Sequence, residues 1–122
     1  MPTYTQPKTI ADLLIVEVAP GWTKERNTFT AGAVYPFGTV LAKVNTKVLA
    51  IDPAGTGAAK VPYAVAAETV KATAADTVGL TIARGATVDA DELVWPAGIT
   101  DAQKAAAIAG LEARGIVAIT RL

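Results

Sequence analysis

One stretch of this chain carries helix signals at both ends; elsewhere Gly and Pro cut the apolar runs short. Thr100 stands where an N-cap belongs, and Gln103 follows three residues on. That spacing is a capping box, which satisfies two amides the helix itself leaves unpaired. Asp101 places negative charge at the positive end of the helix dipole, and Ala102 and Ala105 to Ala107 favour helix intrinsically. Ile108 and Leu111 form a narrow apolar stripe, and Gly110 permits a close neighbour. Arg114-Gly115 then supplies a closing cation and a left-handed cap. A helix over about 101–114 is predicted. The other apolar stretches are brief and β-branched or alternating, and no β-α unit recurs, which disfavours a doubly wound sheet. The expected fold is mainly β, α+β at most: a compact domain of short strands with one C-terminal helix and a closing strand at Ile116 to Thr120.

Leu13 to Val18 is the longest strongly apolar run, at six residues. It reads as a strand covered on both faces, either central in a sheet or buried against another chain. Pro20-Gly21 ends it, and Trp22 to Asn27, polar after the Trp, reads as a loop. Residues 28–34 and 38–44 read as strands split by Tyr35-Pro36-Phe37-Gly38. Asn45-Thr46 reads as a hairpin turn into Lys47 to Ile51. In Asp52-Pro53-Ala54-Gly55, Pro pre-sets φ and Gly is expected to supply a positive φ. Gly55 to Lys60 lacks the Gly-Lys-Ser/Thr of a phosphate loop and reads as a flexible loop. Tyr63 to Glu68 and Val78 to Arg84 read as strands joined by a small-residue loop, Thr69 to Thr77. Gly85 to Val88 reads as a turn into Asp89-Ala90-Asp91-Glu92, a solvated acidic turn without calcium-loop spacing. In Leu93-Val94-Trp95-Pro96, apolar neighbours make Trp95 a core residue rather than a ligand-stacking ring; Pro96 stops the strand, and Trp95 and Pro96 together are expected to anchor the core.

The function classes this composition excludes are broad. Eleven Lys and Arg balance eleven Asp and Glu in 122 residues, so no basic excess exists to neutralise a nucleic-acid backbone. The chain has no His, Cys or Ser. Imidazole and thiolate metal sites, disulfides and the familiar nucleophile pairs are therefore out of reach. No pair of acids has a spacing that calls for acid/base chemistry, so neither an enzyme nor a cofactor, metal or small-molecule substrate is expected. No apolar run approaches the roughly 20 residues that span a bilayer, and no signal peptide is evident. Of the apolar residues, 26 are Ala. Ala buries little area, which implies either tight backbone packing or stability gained through association.

Residues 1–12 (MPTYTQPKTIAD) stand apart, with Pro2 and Pro7 disfavouring helix and three Thr favouring extended chain. They read as a frayed terminus or as an arm that adds to a neighbour's sheet edge. The expected division is an extended arm over 1–14 and one domain over 15–122.

The block Asp91-Glu92-Leu93-Val94-Trp95-Pro96, with its following helix and closing strand, resembles the head decoration protein D family of lambda-like tailed phages. Tyr63-Ala64-Val65-Ala66-Ala67-Glu68, the Val78–Arg84 strand and Gly38-Thr39-Val40-Leu41 are similar in order and spacing. The resemblance implies a β-clip-type fold and a non-enzymatic cement protein. Such a protein sits as homotrimers at three-fold and quasi-three-fold positions on the outside of the expanded head, clamping the major capsid protein against DNA pressure. It implies a virion location after synthesis in the bacterial cytoplasm. Its capsid-engaging arm would comprise Thr3, Tyr4, Thr5, Gln6, Pro7, Lys8, Thr9, Ile10, Leu13, Leu14 and Ile15. Other structural readings are a virion-borne carbohydrate-binding module, using Trp22, Tyr35 and Trp95, or a tail or baseplate component.

Overall fold

The computed structural model describes residues 14–17, 23–53, 55 and 57–119. Ten strands run in chain order: β1 (Leu14–Glu17), β2 (Lys24–Phe29), β3 (Ala33–Tyr35), β4 (Val40–Val44), β5 (Lys47–Ala50), β6 (Ala64–Ala66), β7 (Val70–Ala72), β8 (Thr77–Ile82), β9 (Ala86–Asp89) and β10 (Ile116–Ile119). Helix α1 (Asp101–Ala113) precedes β10, and two 3₁₀ turns cover Gly57–Lys60 and Ala90–Glu92. Among the described residues the expected mainly β domain, with a helix near the C-terminus followed by a closing strand, is the fold observed.

Strands β2, β5, β4, β6 and β8 close a five-stranded barrel in that order. Every pairing is antiparallel except the seam between β2 and β5, where Phe29 lies opposite Val48 and the Thr30 amide donates to the Val48 carbonyl at 2.9 Å. Asn45 and Thr46 join β4 to β5 with φ of 51° and 70°. Two successive positive φ values give a turn whose twist matches that of the flanking strands. A second sheet has the order β1-β9-β10, with β1 antiparallel and β10 parallel to β9. Strands β3 and β7 form a separate antiparallel pair.

Two apolar cores share the wall formed by β4, β6 and β8. One fills the barrel: Phe29, Leu41, Val48 and Ala66 from four strands, continued by Tyr35, Val70 and Ala72 of the β3–β7 pair. The other lies outside the barrel wall, under the β9–β10 sheet and α1, and joins Val40, Val65, Ile82, Val88, Leu111 and Ile116. Consecutive residues such as Val40 and Leu41, or Val65 and Ala66, thus enter opposite cores, as strand alternation requires.

Several sequence expectations need correction. Trp22 to Asn27 was expected as a loop, but Lys24–Phe29 is β2; its polar residues stand over a partly polar barrel interior, with Asn27 and Phe29 buried. The 28–34 strand is broken between Phe29 and Ala33. Within the expected loop Thr69 to Thr77, Val70–Ala72 pairs with β3. Gly85 to Val88 is no turn: Ala86–Asp89 is the central strand of its sheet. The loop at Gly55 to Lys60 holds a 3₁₀ turn. The turn before it closes through a Gly55 N–H to Asp52 carbonyl bond of 3.0 Å, yet positive φ belongs to Gly57 and not to Gly55. In β8 the small residues Gly79 and Thr81 are buried, whereas Val78 on the larger face is 59% exposed.

Gly79 is small because Phe29 fills the barrel. A Cβ there would lie 2.5 Å from Val70 Cγ2 and 2.9 Å from the Phe29 ring. Gly38 is constrained twice, by a φ of +89° and by the Glu92 carbonyl oxygen, 2.2 Å from where its Cβ would stand. That contact lets Val94 donate to the Gly38 carbonyl at 2.8 Å and accept from Val40 at 3.2 Å, docking the 93–95 segment beside β4. Gly38→Ala is expected to lower stability by about 2–4 kcal/mol, adding a strained φ to a backbone clash, and Gly79→Ala by about 1–3 kcal/mol through overpacking. Denaturant midpoints measure both; unchanged midpoints would show that the neighbouring chain yields freely.

Candidate functional site

The main cluster of interacting charged side chains gathers residues from β2, β4, the approach to β6, the end of β8 and the end of α1. Glu25, two positions before Asn27 on β2, pairs with Arg84 through one carboxylate oxygen. Its other oxygen accepts a 2.9 Å hydrogen bond from the Tyr63 hydroxyl. Lys43 Nζ donates to that hydroxyl at 3.4 Å and stands 4.8 Å from the ring centroid. Arg114, the C-cap of α1, places its guanidinium 4.2 Å from the same centroid and donates from Nε to the Tyr63 carbonyl at 3.2 Å. Tyr63 is thus bracketed by two cations, each attracted to the ring's electron-rich face. Deeper in the barrel, Asn27 donates to Thr81 Oγ1 at 2.9 Å, and Thr81 donates to the Glu25 carbonyl at 2.8 Å.

Burial alone would raise the Glu25 pKa. Hydrogen bonds from Arg84, Tyr63 and Asn27, with the Arg84 charge, outweigh it and hold the carboxyl below its ordinary range. A second tie joins Lys47 and Asp76 at 2.6 Å. The other Asp76 oxygen accepts from the Ala31 amide at 2.8 Å, and the hydrogen bonds from Lys47 and Ala31 hold its pKa low. Both carboxylates are engaged in fastening strands together. Among the described residues no three His, Cys, Asp or Glu converge to hold a metal ion.

The expected arm residues Thr3, Tyr4, Thr5, Gln6, Pro7, Lys8, Thr9, Ile10 and Leu13 lie outside the described residues. Leu14 and Ile15 have their backbone in β1, where Leu14 pairs with Val88 of β9. Thr100 and Gln103 form the two-way cap: the hydroxyl accepts from the Gln103 amide at 3.1 Å, and the Gln103 side chain accepts from the Thr100 amide at 2.9 Å. Trp95 and Pro96 are half-buried. Trp95 packs against the core under α1, but the deeply buried residue of that segment is Leu93, at 7% exposure. Among the described aromatic residues Phe29 and Tyr35 are buried and Phe37, Tyr63 and Trp95 are partly covered, so no exposed aromatic platform for sugar stacking is present; Trp22 lies outside the described residues. The Glu25–Tyr63–Arg84 cluster was missed by sequence reasoning, because its members lie 38 and 59 positions apart and only barrel closure joins them.

The described residues form a small β-barrel domain whose charged groups brace strands, with a capped helix packed on one side. The sequence model of the bacteriophage lambda head decoration protein D family matches residues 3–116, and the chain belongs to that family. No curated protein matches the chain. It is therefore a structural protein of the phage virion that associates with the capsid and decorates it, and its family is not one of enzymes.

Trp95→Ala is expected to lower stability by about 1–3 kcal/mol, less than for a fully buried ring. Calorimetry measures it, and a loss above that range would mean that the 93–95 segment detaches. The folded Glu25 pKa lies below the unfolded value of about 4.5. Its contribution is therefore fully present above that pH and is lost as pH falls through the folded value. Glu25→Gln is expected to cost about 1–2 kcal/mol at pH 7 and to flatten the acid limb of the stability curve. An acid limb identical to that of the unsubstituted protein would exclude the carboxylate as its source.

Proposed function

We propose that the protein is a capsid cement. It binds as a homotrimer at three-fold and quasi-three-fold positions on the outer surface of the expanded head, contacts the major capsid protein, and stabilises the shell against the pressure of packaged DNA. The observation that carries this reading is the family match from residue 3 to residue 116, which takes in the N-terminal segment together with the barrel and α1.

The topology supports an arm that works by strand addition. Strand β1 is at one end of the order β1-β9-β10, so among the described residues one of its edges is unpaired. An extended segment leading into such an edge can offer main-chain hydrogen bonds without a tailored pocket. Ordering an arm costs about 1–2 kcal/mol per residue, so a single arm binds weakly. Three arms held in one trimer act at high effective concentration and offset that cost, provided the lattice presents its sites at matching spacing. An unexpanded shell with different spacing engages fewer arms.

The test mixes purified protein with expanded empty heads and images the added density. Density over local three-fold positions is expected, and density confined elsewhere, or none, overturns the proposal. Deleting residues 1–12 is expected to leave a domain with an unchanged circular dichroism spectrum that no longer decorates. Decoration by the truncated protein at full stoichiometry would exclude the arm as the attachment.

A further inference from the structure

Two adjoining clefts share Val61 and Pro62 as a ridge and form one groove beside the Gly57–Lys60 turn. The first, about 240 Å³, is floored by Ile51, Ala106 and Ala107 with Lys60 on its rim. The second, about 270 Å³, holds Tyr63 between Lys43 and Arg114. Among the described residues no Asp or Glu lines either cleft. In a chain of balanced charge this is a local excess of three cations over an apolar floor. Among the described residues none of the three forms an ion pair. Val61, on the ridge, is 57% exposed and offers an apolar surface beside the cations.

The cations beside Tyr63 are directed to the groove before any partner arrives, Arg114 the more firmly of the two. Arg114 is positioned by its Nε bond to the Tyr63 carbonyl and by its stacking on the ring, and among the described residues none is seen to bond its terminal nitrogens. Lys43 is oriented toward the same ring by a long, 3.4 Å contact with the Tyr63 hydroxyl. Charges held this way lose little freedom on binding. A cation pair next to an exposed apolar ridge complements an extended segment that alternates carboxylate and apolar side chains.

We propose that this groove seats an extended acidic segment of the capsid protein, with a carboxylate on Lys43 and Arg114 and an apolar side chain over Val61 toward Ile51, Ala106 and Ala107. This rests on the capsid-cement reading and adds a second attachment to the arm. A second copy of this chain fits less well. Among the described side chains, the exposed acids Asp52, Glu68, Asp76, Asp91, Asp101 and Glu112 sit in turns and connections or on α1, outside the strands, and Asp76 is already paired with Lys47.

The experiment titrates expanded empty heads with the full-length protein and with Lys43→Glu, Lys60→Glu, Val61→Asp and a control, Lys71→Glu, exposed on β7. Melting midpoints confirm folding, and sedimentation reads the oligomeric state. Lys60 and Val61 are exposed, so their substitution leaves the Tyr63 cluster intact if Lys43→Glu disturbs it. Lys43→Glu and Val61→Asp are each expected to weaken binding about tenfold or more, and Lys43→Glu to flatten its salt dependence, while Lys71→Glu stays within about twofold. Failure of the unsubstituted protein to bind heads overturns both this inference and the cement reading. Binding by the unsubstituted protein that every groove variant matches overturns the groove alone. Loss of self-association with unchanged head binding would make the groove a contact between copies and overturn the capsid partner.

Discussion

The wall shared by β4, β6 and β8 is the constraint on which the rest of the fold depends. Each strand buries residues on both faces, so one layer of backbone serves two cores at once. This is how a chain rich in Ala builds enough interior. Ala66 and Gly79 keep the barrel narrow enough for Phe29 to fill it, and Phe29 meets Tyr35 at a centroid distance of 5.1 Å. A slip of one residue along β4 would exchange Val40 for Leu41 and present each core with the wrong shape, so register is fixed twice over. The outer core then fixes α1, whose Leu111 and Ala107 are buried against it, and through α1 the position of Arg114.

What was legible in the sequence was what local chemistry decides. The Thr100 cap, the Asn45-Thr46 hairpin and the 101–113 helix depend on residues three or four apart. The order of the last third, from Leu93 through the closing strand, was distinctive enough to carry the family resemblance. Strands β2, β7 and β9 were not legible, because their pairing partners are distant and their residues follow no apolar period. Lys24-Glu25-Arg26-Asn27 looks like a loop until the barrel interior proves partly polar, with Asn27 bonded to Thr81. Gly85-Ala86-Thr87-Val88 looks like a turn until β1 and β10 arrive on its two sides. Trp95 drew attention by size, yet the smaller Leu93 is the more deeply buried.

Net neutrality hid an organised distribution of charge. Glu25 and Asp76 hold strands that share no sequence neighbourhood, and both have lowered pKa values because cationic partners and amides stabilise the ionised form. Arg114 reads in sequence as a cation at a helix end. In the fold its guanidinium covers Tyr63 and bonds its carbonyl, so helix, barrel and groove meet at one side chain. The same residue therefore closes α1 and, on the groove proposal, faces the partner.

An arm and a groove suit different stages of attachment. Rim cations act over about a Debye length and mainly raise the rate of encounter, whereas strand addition supplies main-chain bonds only after the arm is ordered. A groove contact that forms first holds the domain near the lattice and lowers the entropy still to be lost when the arm closes. On the proposed trimer, contacts that are individually weak would together resist dissociation, since removing one protomer's contacts would leave the other two in place. On the proposed reading, selectivity for the expanded shell would follow from the spacing of these contacts.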